Sequence, residues 1–216
     1  MKISYEKEVI IAIDGLRLIG NLLLPKDAKA IIIFSHGSGS SRFSQRNQGV
    51  AKQLQPHGFG TLLLDLLTPE EDKDYQNRFD IALLKERLIA ATIWLKKLPA
   101  VMNTPIGYFG ASTGAASALK AAADLADIFA VVSRGGRPDL AMEDLPRVNA
   151  PTLLIVGSLD HQVIKYNQDA YQRLKCEKHL EIVEGASHLF EEPGKLEKVG
   201  ELALMWFTGH IPAIMA

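Results

Sequence analysis

Residues Gly110-Ala111-Ser112-Thr113-Gly114 form a GxSxG pentapeptide between an apolar, strand-like stretch, Ile106–Phe109, and a small-residue, helix-like stretch, Ala115–Asp124. A strand that turns this sharply into a helix strains its middle residue, exposes the serine oxygen and aims the following N–H at the same point. Nucleophilic attack by Ser112 is the chemistry that suits such a turn. Gly110 and Gly114 lack a Cβ and let strand and helix approach closely. The competing reading makes Ser112 a helix N-cap, a role serine fills well.

A serine hydroxyl needs a neighbouring base, and that base needs an acid to fix its tautomer and stabilise its charged form. Gly157-Ser158-Leu159-Asp160 follows the apolar run Thr152–Val156, which places Asp160 where a strand opens into a loop. His188 stands in Gly185-Ala186-Ser187-His188, just beyond Leu180–Val183. Asp65 and Glu184 compete with Asp160 for the acid. Among the other histidines, His36 is expected to brace its own loop and His161 to point away from the acid. His57, His179 and His210 are expected to be solvated at element edges.

An oxyanion needs two N–H donors. The N–H of Thr113 is one. The second is expected from Ser35-His36-Gly37-Ser38-Gly39-Ser40-Ser41, a glycine-rich turn after Ala30–Phe34, with Ser38 as donor and Gly39 as the alternative. Glycines such as Gly37 and Gly39 let the backbone face a substrate there. Arg42, Arg46 and Asn47 follow this turn, and Arg134 and Arg137 follow another strand. These arginines either recognise a substrate carboxylate or phosphate through forked hydrogen bonds or pin their own loops through salt bridges. Cys176, in the polar stretch Lys175–Lys178, has no elbow around it and reads as incidental.

Such a constellation must be held by strands whose ends meet at one edge. Apolar and β-branched runs recur at Glu8–Ile13, Leu16–Leu24, Ala30–Ser35, Thr61–Leu66, Ile106–Phe109, Ile128–Ser133, Thr152–Val156 and Leu180–Val183, each of strand length. Asp14-Gly15 supplies the positive φ angles of a tight hairpin, so the first two runs should pair antiparallel. From the third run onward strands alternate with helical patterns. Leu84, Leu88, Ala91, Leu95 and Leu98 mark one helix face, and Leu196, Val199, Ala203 and Trp206 another. Alternation of this kind implies parallel crossovers and a three-layer α/β/α sandwich around an eight-stranded, mostly parallel sheet. Ligand sites in such sheets lie at the carboxyl ends of the strands. Thr68–Asp74 reads as a solvated acidic loop. The short segment from Gly135 to Pro151 leaves no room for a large cap domain, so the site should be open or covered by loops.

The whole chain resembles a compact α/β-hydrolase. Its turns HGSGSS, GASTG, GSLD and GASH fall where that superfamily carries its oxyanion loop, nucleophile, acid and base, in the chain order Ser112, Asp160, His188. Small size and the lack of a cap make it similar to the dienelactone-hydrolase-like group. Dienelactone hydrolases proper carry a cysteine at the elbow, whereas this chain has Ser112 there. The resemblance therefore implies serine-dependent hydrolysis of small-molecule esters or related acyl bonds, with no cofactor or metal. The alternative is a catalytically silent hydrolase fold serving as a ligand-binding or protein-interaction module.

The remaining composition narrows the field. The 216 residues, 47% hydrophobic, are expected to form a single domain over residues 1–216, burying roughly 70% of the unfolded surface. A net charge of −1 offers no basic field for nucleic acid or an anionic membrane. No apolar run approaches the roughly 20 residues of a membrane span. A single cysteine excludes an intramolecular disulfide, and the start MKISYEKEV has no signal-peptide core, so a cytoplasmic location is expected. GASTGAAS lacks the endings of a nucleotide-binding loop, and no HExxH or paired ligand signature suggests a metallohydrolase. Oligomeric state is left open by the sequence.

Overall fold

The computed structural model describes residues 3–13 and 15–212. The hairpin strands β1 (Ile3–Ile13) and β2 (Leu16–Pro25) pair antiparallel, with Ile13 opposite Leu16. Gly15 sits at φ +86°, as the turn requires, while Asp14 lies outside the described residues. The chain continues through β3 (Ala30–Ser35), α1 (Gln45–Leu54), β4 (Phe59–Leu64) and α2 (Ile81–Lys96). There follow β5 (Ile106–Ala111), α3 (Thr113–Asp124), β6 (Ile128–Arg134) and β7 (Thr152–Gly157). It closes with α4 (His161–Arg173), β8 (Lys178–Val183) and α5 (Lys195–His210). One eight-stranded sheet results, in the order β1-β2-β4-β3-β5-β6-β7-β8. Only the β1–β2 and β2–β4 pairings are antiparallel.

The central strands are buried on both faces, which is why they read as continuous apolar runs rather than as alternating ones. Ile31 and Ile33 of β3 join one core with Leu84, Leu88 and Ala91 of α2, the alanines of α3 and Ala170 of α4. Ile32 and Phe34 face the opposite core, with Val50 and Leu54 of α1 and Val199, Ala203 and Phe207 of α5. The sheet thus carries three helices on one face and two on the other. No large insertion follows β6: residues 135–151 hold only two short 3-10 turns, Pro138–Ala141 and Leu145–Arg147.

Details depart from the expectations: β1 starts at Ile3 and β4 spans Phe59–Leu64 rather than Thr61–Leu66. α2 ends at Lys96, so Leu98 lies beyond it, where the chain turns towards Pro99. In α5 Phe207 is fully buried, while Trp206 lies at the flank and donates from Nε1 to the Pro151 carbonyl. His210 is not solvated: it stacks on Trp206 with ring centroids 4.3 Å apart and pairs with Glu177 at 3.1 Å. Among the described residues no helix is long and apolar enough to cross a membrane.

Candidate active site

β5 ends at Ala111 and α3 begins at Thr113, leaving Ser112 alone at the junction. Ser112 has φ +51° and ψ −121°, a region that side chains avoid and that costs about 1–3 kcal/mol to hold. Backbone bonds hold it there. Ser112 N–H donates to the Arg134 carbonyl at 3.1 Å, and the Ser112 carbonyl accepts from Arg137 N–H at 3.0 Å and Ala115 N–H at 3.1 Å. Gly114 is indispensable to this junction, because a Cβ there would collide with the carbonyl oxygens of Ser35 and His36 at the end of β3. At Gly37 a Cβ would stand 3.1 Å from that of Ser112, so the turn after β3 lies directly against Ser112.

His188 Nδ1 and Asp160 Oδ2 are 2.6 Å apart. That contact places the proton on Nδ1 and leaves Nε2 free to act as a base. The loops carrying the two residues are stitched together. Gly185 N–H donates to Ser158 Oγ at 2.8 Å, Leu159 N–H to the Ala186 carbonyl at 3.0 Å, and Ser158 N–H to the Val183 carbonyl at 3.0 Å. Phe190, buried and at φ +57°, anchors the chain just after His188 in the second core. Asp160 is 16% exposed and His188 37%, so the carboxylate is screened while the imidazole reaches the surface. Of the competing acids, Asp65 is occupied by the backbone and side chain of Arg42, and Glu184 is exposed.

Ser112 and His188 line one cavity of about 160 Å³, together with Gly37, Ser38, Ser40, Ser44, Arg46, Asn47, Ala111, Arg134 and Leu189. Ser44 and Leu189 carried no sequence signal beyond adjacency to named residues. Gly39 is not among the lining residues. The Ser38 N–H donates to Thr113 Oγ1 at 2.8 Å, tying the loop after β3 to the start of α3. His36 braces that loop from behind. Its Nε2 accepts from Leu66 N–H at 3.1 Å, so its Nδ1 carries the proton and donates to the Gly37 carbonyl at 2.9 Å. Burial holds His36 below its ordinary pKa of 6.5, despite the opposing pull of Gly37, Asp65 and Asp72.

The four candidate arginines separate by partner. Arg42 bonds to Asp65 and to Glu8, the latter at 3.0 Å, and its guanidinium covers the Phe43 ring. Arg137 forks onto Asp139 and stacks over Tyr166. Arg46 reaches Glu191 at 3.0 Å from the cavity wall. Arg134 is 4% exposed; burial, reinforced by Arg46, lowers its pKa to about 10, which leaves it cationic at neutral pH. Cys176 is half-buried, its thiol pushed up by burial. Among the described residues no group of three His, Cys, Asp or Glu is placed to hold a metal. A wider groove of about 410 Å³ between α1 and the hairpin, lined by Glu8, Asn21, Gln48 and Thr61, holds neither Ser112 nor His188.

Comparison with known proteins shows the family and the fold. The chain is 51% identical to the crystal structure of a dienelactone hydrolase from Anabaena variabilis, covering 96% of this chain and 99% of that one with a TM-score of 0.93. Est1E from Butyrivibrio proteoclasticus shares the fold at 19% identity and a TM-score of 0.81, over 94% of this chain and 98% of that one. A protein of Mycobacterium tuberculosis named "Putative phosphoribosyl transferase" is 52% identical over 207 residues, 95% of this chain but 47% of that protein. The chain therefore spans about half the length of this curated relative. The model of the dienelactone hydrolase family matches residues 18–203, a stretch that includes the elbow, the acid and the histidine, and the chain belongs to that family of α/β-hydrolases.

Proposed function

We propose that this hydrolase is a serine enzyme that cleaves carboxylic esters or related acyl bonds of small molecules through an acyl-enzyme. The observation that carries the reading is the 2.6 Å His188–Asp160 contact beside a serine held at φ +51° in the same cavity. His188 Nε2 takes the proton from Ser112 Oγ as that oxygen attacks the carbonyl carbon. The developing oxyanion takes the N–H of Thr113, which opens α3 and so has no acceptor within the helix. It also takes the N–H of Ser38, displacing the Thr113 hydroxyl that this donor holds at rest. His188 returns the proton to the leaving alcohol, and water repeats the sequence on the acyl-enzyme. Phosphoribosyl transfer, which the name of the mycobacterial relative invokes, we assign to no residue of this chain.

Labelling with a fluorophosphonate probe, followed by mass-spectrometric site mapping, tests the nucleophile. Stoichiometric modification at Ser112, absent in Ser112→Ala, is the expected result. A folded protein that neither reacts nor hydrolyses short aryl esters would instead be a hydrolase fold used for binding.

A further inference from the structure

The cavity beside Ser112 contains a positive charge that no described residue balances. Arg134, the last residue of β6, lines it with its side chain almost wholly buried. Among the described residues its side chain makes one hydrogen bond, from Nη2 to Asn47 Oδ1 and 3.4 Å long, and its Nε has no partner. Among the described residues no carboxylate lies within ion-pair distance of it, whereas Arg42, Arg87 and Arg137 each have one. Its charged neighbour, Arg46, repels it, and the Nε of Arg46 is also buried without a partner. An uncompensated buried cation is strongly unfavourable, and a guanidinium is shaped to accept two oxygens of one anion side by side.

Building on the hydrolase reading, we propose that Arg134, assisted by Arg46, is a specificity-determining residue that binds a compact oxyanion of the substrate, a carboxylate or a phosphate, close to the scissile carbonyl. The cavity of about 160 Å³ has room for a carbonyl and a small anionic group. Asn47 positions the fork through its side-chain oxygen. Arg46 supplies the second positive charge at the mouth, where Glu191 holds it until substrate arrives.

The test compares phenyl crotonate with phenyl hydrogen fumarate and the phenyl ester of trans-3-phosphonoacrylic acid. These share a rigid trans skeleton that keeps the anion from attacking its own ester. The wild-type protein is expected to favour at least one anionic ester over the crotonate by about tenfold or more in kcat/KM, and the better of the two identifies the anion. Arg134→Met should reduce that ratio at least tenfold, Arg134→Lys should retain part of it, and Arg46→Met should lower it less. A wild-type enzyme that hydrolyses the crotonate as well as both anionic esters overturns the proposal. So does an Arg134→Met protein with wild-type circular dichroism and an unchanged ratio. Should Arg134→Met fail to fold, Arg134→Lys and protection of Ser112 from fluorophosphonate by free fumarate or inorganic phosphate decide the matter, and absence of protection counts against it. If Ser112 neither labels nor turns over any ester, the hydrolase reading fails separately. Anion binding is then judged by thermal stabilisation with fumarate or phosphate: stabilisation that Arg134→Lys weakens supports it, and none refutes it.

Discussion

In the proposed mechanism Ser112 and His188 act as a unit, so their losses should not multiply. Ser112→Ala and His188→Gln are each expected to reduce kcat by about 10⁴ to 10⁶, and the double variant by little more than either alone. Asp160→Asn keeps the shape but lets an amide donate to His188 Nδ1, which moves the ring proton to Nε2, where the base must be free. A loss of about 10⁴ should follow, measured by steady-state kinetics on a short aryl ester. His36 gives a structural pH effect. Because burial lowers its pKa when folded, the unfolded chain takes up a proton below about 6.5 that the folded chain refuses. The stability it contributes is complete above that value and is lost as pH falls towards the depressed folded value. The drop in urea midpoint from pH 7.5 to 5.5 should therefore be smaller in His36→Asn than in wild type.

Two contacts between elements decide how well the site is held. The N-terminal end of α3 rests on the carboxyl end of β3 only because residue 114 has no side chain. Gly114→Ala must push the oxyanion loop away from the elbow. Overpacking of this kind costs about 1–3 kcal/mol, and it should lower kcat even where the variant remains folded at 25 °C. On the face of the sheet that α3 shares with α2, Thr92 Oγ1 donates to the Leu88 carbonyl at 2.8 Å and therefore accepts from the Tyr108 hydroxyl at 2.7 Å. That bond ties α2 to the strand that carries Ser112. Tyr108→Phe should cost about 1 kcal/mol in chemical denaturation and leave the α3 junction intact.

At the scale of the molecule, one sheet separates two cores, and each contains a reporter. Trp94 of α2 packs against the core shared with α3 and α4, and Trp206 of α5 against the core shared with α1. Because every central strand contributes to both, we expect the 216-residue chain to unfold as a single cooperative unit. Trp94→Phe and Trp206→Phe leave one fluorophore each. Their fluorescence midpoints in urea should coincide with that of circular dichroism for the same variant, and a split would mean that the faces unfold separately.

The places of Ser112, Asp160 and His188 just beyond strand ends were legible because each signal is local. GASTG, GSLD and GASH each follow an apolar run, and a parallel sheet brings the ends of such runs to one edge whatever the loops do. Helix limits were less legible: Leu98 fits the spacing of α2 yet lies past its end, because apolar periodicity does not register where backbone hydrogen bonding stops. The arginines could not be ranked from sequence at all. Arg42 finds Asp65 23 residues away and Arg46 finds Glu191 145 residues away, while Arg134 finds no carboxylate among the described residues. The Ser38 N–H, expected to face a substrate, meets a hydroxyl 75 residues along the chain. Pairing of charges and donors depends on distance through space, and only the folded sheet sets which distant loops become neighbours.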